Sequence, residues 1–319
     1  MTLVSVMMPA YNAENYIAAA LDSILEQSYP NIQIVVADDA STDRTPAIIR
    51  EYAERFPGKI KAIFNLHNVG VTRNCNIALS HTDGDFIALF AGDDLMLPGK
   101  LARQVELMEA NPRCVLCYHP VEIFDSATGK TLYVTNQHPR EDVFNTQDML
   151  LKGGIPGGCS IMLRRTALPP HGYDERVKTV SDWLFFLEIS LKGTLLKAEE
   201  VLARYRKHLG GASRQTYELL DESLYALDLF EQQVADRKDL LALIGPAKAR
   251  YVAGEAYRQL ERDPHLALTL TRTVLRYQRS GKYRVLHAVA WLNRYVPGAQ
   301  WVMGAIANRI KYVLKRVVG

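Results

Sequence analysis

The first part of the chain alternates two hydrophobic patterns. Unbroken apolar runs occur at "LVSVMMP", "IQIVVAD", "IKAIFN" and "DFIALF". Between them, apolar residues recur at three- and four-residue spacing. In "AENYIAAALDSILEQ" they are Ile17, Leu21, Ile24 and Leu25; "AIIREYAERF" and "GVTRNCNIALS" read the same way. The runs predict buried strands and the spaced segments predict helices. Thr45 followed by Pro46 reads as an N-cap and a first helical residue. Strands of continuous apolar character separated by helices predict an α/β fold with a mainly parallel sheet covered on both faces. Such sheets collect ligands at the carboxyl ends of their strands. The polar residues falling there are Tyr11-Asn12, Asp38-Asp39, Asn65–Asn68 and Asp93-Asp94.

From 99 to 215 the pattern is mixed. A helix over 99–110 stops at Asn111-Pro112, and "CVLCYHPVEIF" reads as one strand. A turn at Gly129 leads to another strand. The Gly-rich "KGGIPGGCSIMLRR" leads to a further one, and "SDWLFFLEISLKG" reads as a short amphipathic helix ended by Gly193. Beyond 216 the pattern is helical throughout, with a hairpin turning at Asp263-Pro264. The expected division is a catalytic domain over 1–215 and a helical region over 216–319.

Charge sharpens that division. The net charge of +3 conceals ten basic residues and no acidic one over 264–319, against 28 basic and 35 acidic residues before them. In 306–318, Ile306, Ile310, Val313, Leu314 and Val317 share a helical face flanked by Arg309, Lys311, Lys315 and Arg316; Trp291, Trp301 and Tyr312 add aromatics. This predicts a helix lying in an anionic membrane surface. No recognisable nucleic-acid module accompanies the positive charge, so nucleic acid is not an expected partner. No apolar run reaches the ~18–20 residues of a spanning helix, and the N-terminus lacks the charged region of a signal peptide. The four cysteines include only a lone Cys114-x-x-Cys117, which reads as free thiols in a reducing cytoplasm.

Several polar residues exceed what local structure needs. Turn chemistry accounts for Ser41, Thr42, Asp43 and Thr45 but not for two carboxylates, Asp38 and Asp39, at the end of a buried strand. A carboxylate there can accept from a base N–H or a ribose hydroxyl. Arg73 reads either as an exposed helix arginine or as a planar donor to a base or phosphate. Asp93 and Asp94 raise each other's pKa unless a cation accompanies them; a magnesium-type ion held by carboxylates and substrate phosphates would do so. Asp182 reads as a helix N-cap or as a base at a helix mouth, with Trp183 beside it. His208, next to Arg206 and Lys207, is by itself a structural or exposed histidine.

Seven segments in order, from "VSVMMPAYNAENYI" through "GDFIALFAGDD…LPGKLARQ" to "RYRKH", resemble the large family-2 glycosyltransferases of GT-A fold. The resemblance covers about residues 2–215. It implies a nucleotide pocket at Pro9, Tyr11, Asn12 and Asp39, with Asp38 or Asp39 on the base or ribose and Arg73 assisting. The family's Asp-x-Asp-Asp falls on Ala91-Gly92-Asp93-Asp94: the metal position is Asp93, and the first carboxylate is replaced by Ala91. The family's Glu-Asp pair falls on Ser181-Asp182, making Asp182 the catalytic base. His208 matches a histidine that completes the metal shell or touches the diphosphate. The Gly157-Gly158-Cys159 turn would let backbone approach the sugar or acceptor. The implied activity is inverting transfer, assisted by Mn2+ or Mg2+, from a nucleotide-diphosphate sugar (a UDP-sugar foremost) to a glycan or lipid-linked acceptor in surface polysaccharide synthesis. Its expected place is the inner face of the cell membrane, with self-association into a homo-oligomer among the expected contacts. The competing reading is a non-catalytic nucleotide-sugar or glycan-binding module. A nucleotidyltransferase would be expected to carry a Gly-rich phosphate loop, and "PAYNAEN" has none.

Overall fold

A computed structural model describes residues 1–155, 157–208 and 219–295. In chain order the strands are β1 (Val4–Ala10), β2 (Ile32–Asp38), β3 (Ile60–Phe64), β4 (Phe86–Leu89), β5 (Leu95–Met96), β6 (Cys114–Tyr118), β7 (Val121–Asp125), β8 (Thr131–Val134), β9 (Met162–Arg164), β10 (Thr194–Lys197) and β11 (Ala203–Lys207). The helices are α1 (Ile17–Leu25), α2 (Thr45–Arg55), α3 (Val71–Ser80), α4 (Lys100–Ala110), α5 (Thr146–Lys152), α6 (Ser181–Ser190), α7 (Leu219–Gln233), α8 (Lys238–Arg262), α9 (Pro264–Tyr277) and α10 (Gly281–Tyr295). These form two compact units. One holds 1–146 and the described residues from 154 to 208; the other holds 147–153 and the described residues from 219 onward.

The first unit is a mixed α/β body built on a seven-stranded sheet ordered β10-β6-β9-β4-β1-β2-β3. Strands β4, β1, β2 and β3 run parallel, in a register that sets Ala10 beside Asp38 and Asp38 beside Phe64. Their carboxyl ends therefore share one edge. Strand β9 runs antiparallel to β4, pairing Ala88 with Met162, so the turn before β9 opens at that same edge. Ile17, Ala20, Leu21 and Ile24 of α1 are buried in the same core as Val4, Val6 and Met8 of β1.

Four local outcomes differ from the sequence pattern. The run 114–124 is not one strand: it breaks at His119-Pro120, β6 joins the large sheet, and β7 joins a second sheet ordered β5-β11-β7-β8. Proline cannot donate to a ladder, which makes it the point of departure. Helix α6 is not amphipathic, because every residue from Trp183 to Ser190 is buried. Helix α2 begins at Thr45 rather than after it; Asp43 accepts the Thr45 N–H at 2.9 Å, and the Thr45 hydroxyl accepts from Ala13 N instead. Strands β5 and β10, unread in the sequence, are pairings of two and four residues completed by distant partners.

In the second unit, α8, α9 and α10 share a core of Ala249, Val252, Ala256, Leu268, Val274, Tyr283 and Leu286. The α8–α9 turn lies at Asp263-Pro264. Asp263 caps α9 by accepting from His265 N and Leu266 N, and Pro264 occupies the position where no N–H is needed. Among the described residues no helix is long and apolar enough to cross a membrane. The basic segment 306–318, with Trp301 and Tyr312, lies outside the described residues.

Candidate active site

The edge formed by the strand ends is organised by side-chain-to-backbone hydrogen bonds. Beyond β1, Asn12 adopts a left-handed backbone (φ 46°). Its amide oxygen accepts from Thr42 N at 2.9 Å, and its N–H donates to the Ser41 hydroxyl. Asp38 accepts from both Ser41 N and Ser41 Oγ. The loops after β1 and β2 are thus joined through Asp38, Ser41 and Asn12. Pro9 is half-buried within β1, and Tyr11 stands open to solvent at 53% exposure.

Asp39 is buried, and its carboxylate serves the next loop. Oδ1 accepts from Val69 N at 2.8 Å and from Asn65 Nδ2 at 3.0 Å; Oδ2 accepts from Gly70 N at 3.0 Å. Asn65 also donates to Asn74, whose own amide donates to the Ala37 carbonyl. Gly70 has φ 86°, a left-handed conformation that a Cβ would strain. Asp38 and Asp39 therefore brace the loops at this strand edge, with their oxygens largely used by the chain itself. Arg73, one turn into α3, is exposed beside it.

Helix α3 also anchors the segment before α6. The Thr72 hydroxyl lies 3.0 Å from Val177 O, 2.8 Å from Lys178 O and 2.9 Å from Ser181 Oγ. Sequence reasoning missed this buried threonine, because nothing in its neighbourhood marks a partner more than a hundred residues away. Ser181 is the first residue of α6 and Asp182 the second. Asp182 retains solvent access, yet protein packed around it raises its carboxyl above the ordinary carboxylate range, with the Trp183 N–H opposing the shift. Trp183 itself is turned inward at 6% exposure, with a Cβ on Gly154 falling 2.9 Å from its ring.

Asp93 and Asp94 face different ways. Asp94 is 1% exposed; its Oδ1 accepts from Arg206 N at 3.0 Å, and it shares a hydrogen bond with the Cys159 thiol. Burial, and then the neighbouring Asp93 charge, raise its carboxyl well above the ordinary range. Asp93 is partly exposed, and its Oδ2 lies 3.0 Å from His208 Nε2. Its backbone carbonyl accepts from Arg206 Nε at 2.8 Å. Arg206 is further held over the rings of Tyr16 (4.8 Å) and Phe124 (4.7 Å), and the Tyr16 ring lies 4.9 Å from that of His208. The register of β11 with β5 and β7 brings Arg206 and His208 to this place. Gly92 is packed so closely that a Cβ would lie 2.8 Å from buried Ile17.

Carboxylate and imidazole donors suit a divalent ion such as manganese. Asp93 and His208, adjacent and partly exposed, fit that role. Asp94 does not, since its carboxylate is enclosed and already bonded. Among the described residues no set of three or more His, Cys, Asp or Glu side chains is placed to hold a metal ion. An ion here would need further oxygen ligands from a bound ligand, such as phosphates. Of the turn before β9, Gly157 (φ 79°) packs on Val121, Gly158 has open space where a Cβ would stand, and Cys159 is buried.

Comparison with known proteins bears on family and fold. The profile described as Glycosyl transferase family 2 matches residues 5–168. The chain is 31% identical over 220 residues to the putative glycosyltransferase EpsE of Bacillus subtilis, covering 67% of this chain and 76% of that protein. It is 33% identical over 218 residues to an uncharacterized protein of Mycobacterium tuberculosis, covering 67% of this chain and 61% of the relative, so the match spans about three-fifths of that relative's length. It is also 33% identical over 171 residues to the Escherichia coli UDP-Glc:alpha-D-GlcNAc-diphosphoundecaprenol beta-1,3-glucosyltransferase WfgD, covering 54% of this chain and 64% of that enzyme. In structure it resembles S. aureus TarS (TM-score 0.68, 16% identity, 95% of this chain and 92% of that one). It also resembles the Pyrobaculum calidifontis mannosyltransferase PcManGT in complex with GDP-Man and Mn2+ (TM-score 0.57, 20% identity, 93% and 88%). These likenesses establish the fold as GT-A.

Proposed function

The chain belongs to glycosyl transferase family 2, and from that premise we propose that it transfers a sugar, with inversion, from a nucleotide-diphosphate donor to a hydroxyl of a glycan or lipid-linked acceptor. The observation carrying this reading is the gathering of the loop bonded by Asp39, the Asp93–His208 pair and the turn before β9 at one sheet edge, with Ser181, the residue before Asp182, tied to α3 through Thr72. A UDP-sugar is the favoured donor, because TarS is known in complex with UDP-GlcNAc and WfgD is named for UDP-Glc.

In the reaction, Asp182 takes the proton of the acceptor hydroxyl. The oxygen's electron pair forms the new bond at the anomeric carbon while the bond to the diphosphate breaks, and the diphosphate leaves with that bond's electrons. The backbone at Gly158, open where a Cβ would stand, leaves room for a sugar. Asp93 and His208 would hold Mn2+ or Mg2+, which when bound supplies positive charge to the diphosphate. Asp94, enclosed behind them, holds Arg206 and the end of β11 in place. Residues 264–319 would meet an anionic membrane at its inner face, where lipid-linked acceptors for surface polysaccharide are found.

A panel of UDP- and GDP-sugars, with and without Mn2+ and lipid-linked acceptors, tests this reading. The expected result is transfer from one donor, stimulated by Mn2+, with the product anomer inverted. Unchanged transfer by Asp182→Asn would overturn the assignment of the base. Tight donor binding with no turnover on any acceptor would favour the binding-module reading, for which Ala91 in place of a carboxylate is the supporting observation.

A further inference from the structure

The second unit contains a cavity of about 410 Å³ lined by Arg272, Leu275, Arg276, Arg279, Arg284 and His287. Its size lies within the roughly 300–1,000 Å³ of small-ligand pockets. The lining comes from one face of α9, the link to α10, and one face of α10. Arg272 and Arg276 stand at i and i+4, and Arg284 and His287 at i and i+3. Like charges at such spacing repel, so the cluster opposes folding unless an anion compensates. No carboxylate nearby in the chain does so, because no Asp or Glu follows Asp263. Two arginines elsewhere in the second unit do take acidic partners: Arg237 binds Asp239 and Arg258 binds Glu255. The four cavity arginines make no such ion pair among the described residues. The fifth polar group is oriented from within. Thr271, fully buried, donates its hydroxyl to Leu268 O, so its oxygen accepts from His287 Nδ1 at 2.9 Å, which fixes the ring at the edge of the cavity.

We propose that this cavity is a phosphate-binding site, separate from the sugar-transfer centre, that takes a diphosphate or the phosphate of a lipid headgroup. Several planar guanidinium forks around one concavity suit the tetrahedral oxygens of phosphate, which can accept paired N–H bonds from more than one arginine. A simple surface charge patch would need neither the concavity nor the oriented histidine. The site gives the membrane reading of 264–319 a specific ligand chemistry, yet soluble pyrophosphate tests it without a bilayer, so either can fail alone.

The test uses the full chain in EDTA, titrated calorimetrically with pyrophosphate, and in parallel with phosphatidylglycerol and phosphatidylcholine vesicles. Arg276→Gln and Arg284→Gln are compared with Arg294→Gln, which removes the same charge from α10 outside the cavity lining. Each cavity variant should weaken pyrophosphate binding about tenfold, the loss of one charge-assisted hydrogen bond, while Arg294→Gln leaves it unchanged. A parallel loss of phosphatidylglycerol binding assigns the site to lipid headgroups; a loss confined to pyrophosphate assigns it to a free diphosphate. Equal weakening by all three variants, or no binding of either probe by the unaltered chain, would overturn the proposal. Thermal melts of the variants, whose altered residues are all exposed, establish that the fold is retained.

Discussion

At the scale of the residue, the two candidate chemistries separate by exposure. Asp182 is exposed, and the protein around it raises its carboxyl above the ordinary carboxylate range. A base with a raised pKa loses its function at higher pH than an ordinary carboxylate, so kcat/KM should climb as pH rises through that value and then level off. Asp182→Asn should lower turnover by roughly 10²–10⁴-fold. Linkage gives this variant a second signature. A carboxyl whose folded pKa lies above its unfolded value weakens the native state as pH rises from the unfolded to the folded pKa. Asp182→Asn should therefore raise Tm at pH 7 and lose that gain below the ordinary carboxylate pKa, an outcome that general damage would not produce. Asp93 and Asp94 are adjacent in sequence and read there as one metal-binding pair. Only Asp93 reaches the open side, since Asp94 is enclosed by Arg206 and Cys159. In Mn2+ titrations with bound nucleoside diphosphate, Asp93→Asn should weaken the metal by more than the roughly 10–100-fold typical of an outer-shell change. Asp94→Asn, which keeps an acceptor for the Arg206 N–H, should fall within or below that range.

At the scale of the element, the parallel core was legible because β1, β2 and β4 are largely buried on both faces and so read as unbroken apolar runs. What was not legible depended on distant partners. Pro120 is the one mark of a break within the run 114–124, and the two sheets on either side of it complete the division. Strand β5 has two residues and no pattern to read. Helix α6 looked two-faced because Asp182 and Glu188 are polar, yet Glu188 is buried and lies 3.2 Å from His171. Lys100 is the sharpest case. It looks like a solvated lysine opening α4, but it is fully buried, donates to Gln104 Oε1 at 2.8 Å, and is lowered by burial to about 8. A base lowered in the folded state carries its full penalty below that value, sheds it as pH rises from about 8, and has lost it by 10.5. Lys100→Met should raise stability at pH 7 by up to about 3 kcal/mol in urea denaturation, with the advantage shrinking between pH 8 and 10.5.

At the scale of the whole molecule, the chain joins an acidic first portion to a basic end, and that asymmetry is legible from sequence alone. Binding to phosphatidylglycerol vesicles, read by flotation, should fall steeply as salt shortens the Debye length. Replacing Arg309, Lys311, Lys315 and Arg316 together by Gln should remove up to about 4 kcal/mol of vesicle affinity, near 1 kcal/mol for each charge at the surface. The transferase unit carries its own long-range dependence. The contacts of Asp93 with His208 and of Asp94 with Arg206 close loops of 115 and 112 residues. Loop closure costs entropy before such contacts reward it, and topologies dominated by distant pairings fold slowly. Every strand of the seven-stranded sheet is synthesised before β11, so that sheet can pair while Asp94 still lacks the N–H that β11 brings. In a chain still lacking β11, the Arg206 contacts to Asp93 and Asp94 and the His208 contact to Asp93 would be the last pieces of this edge to be supplied.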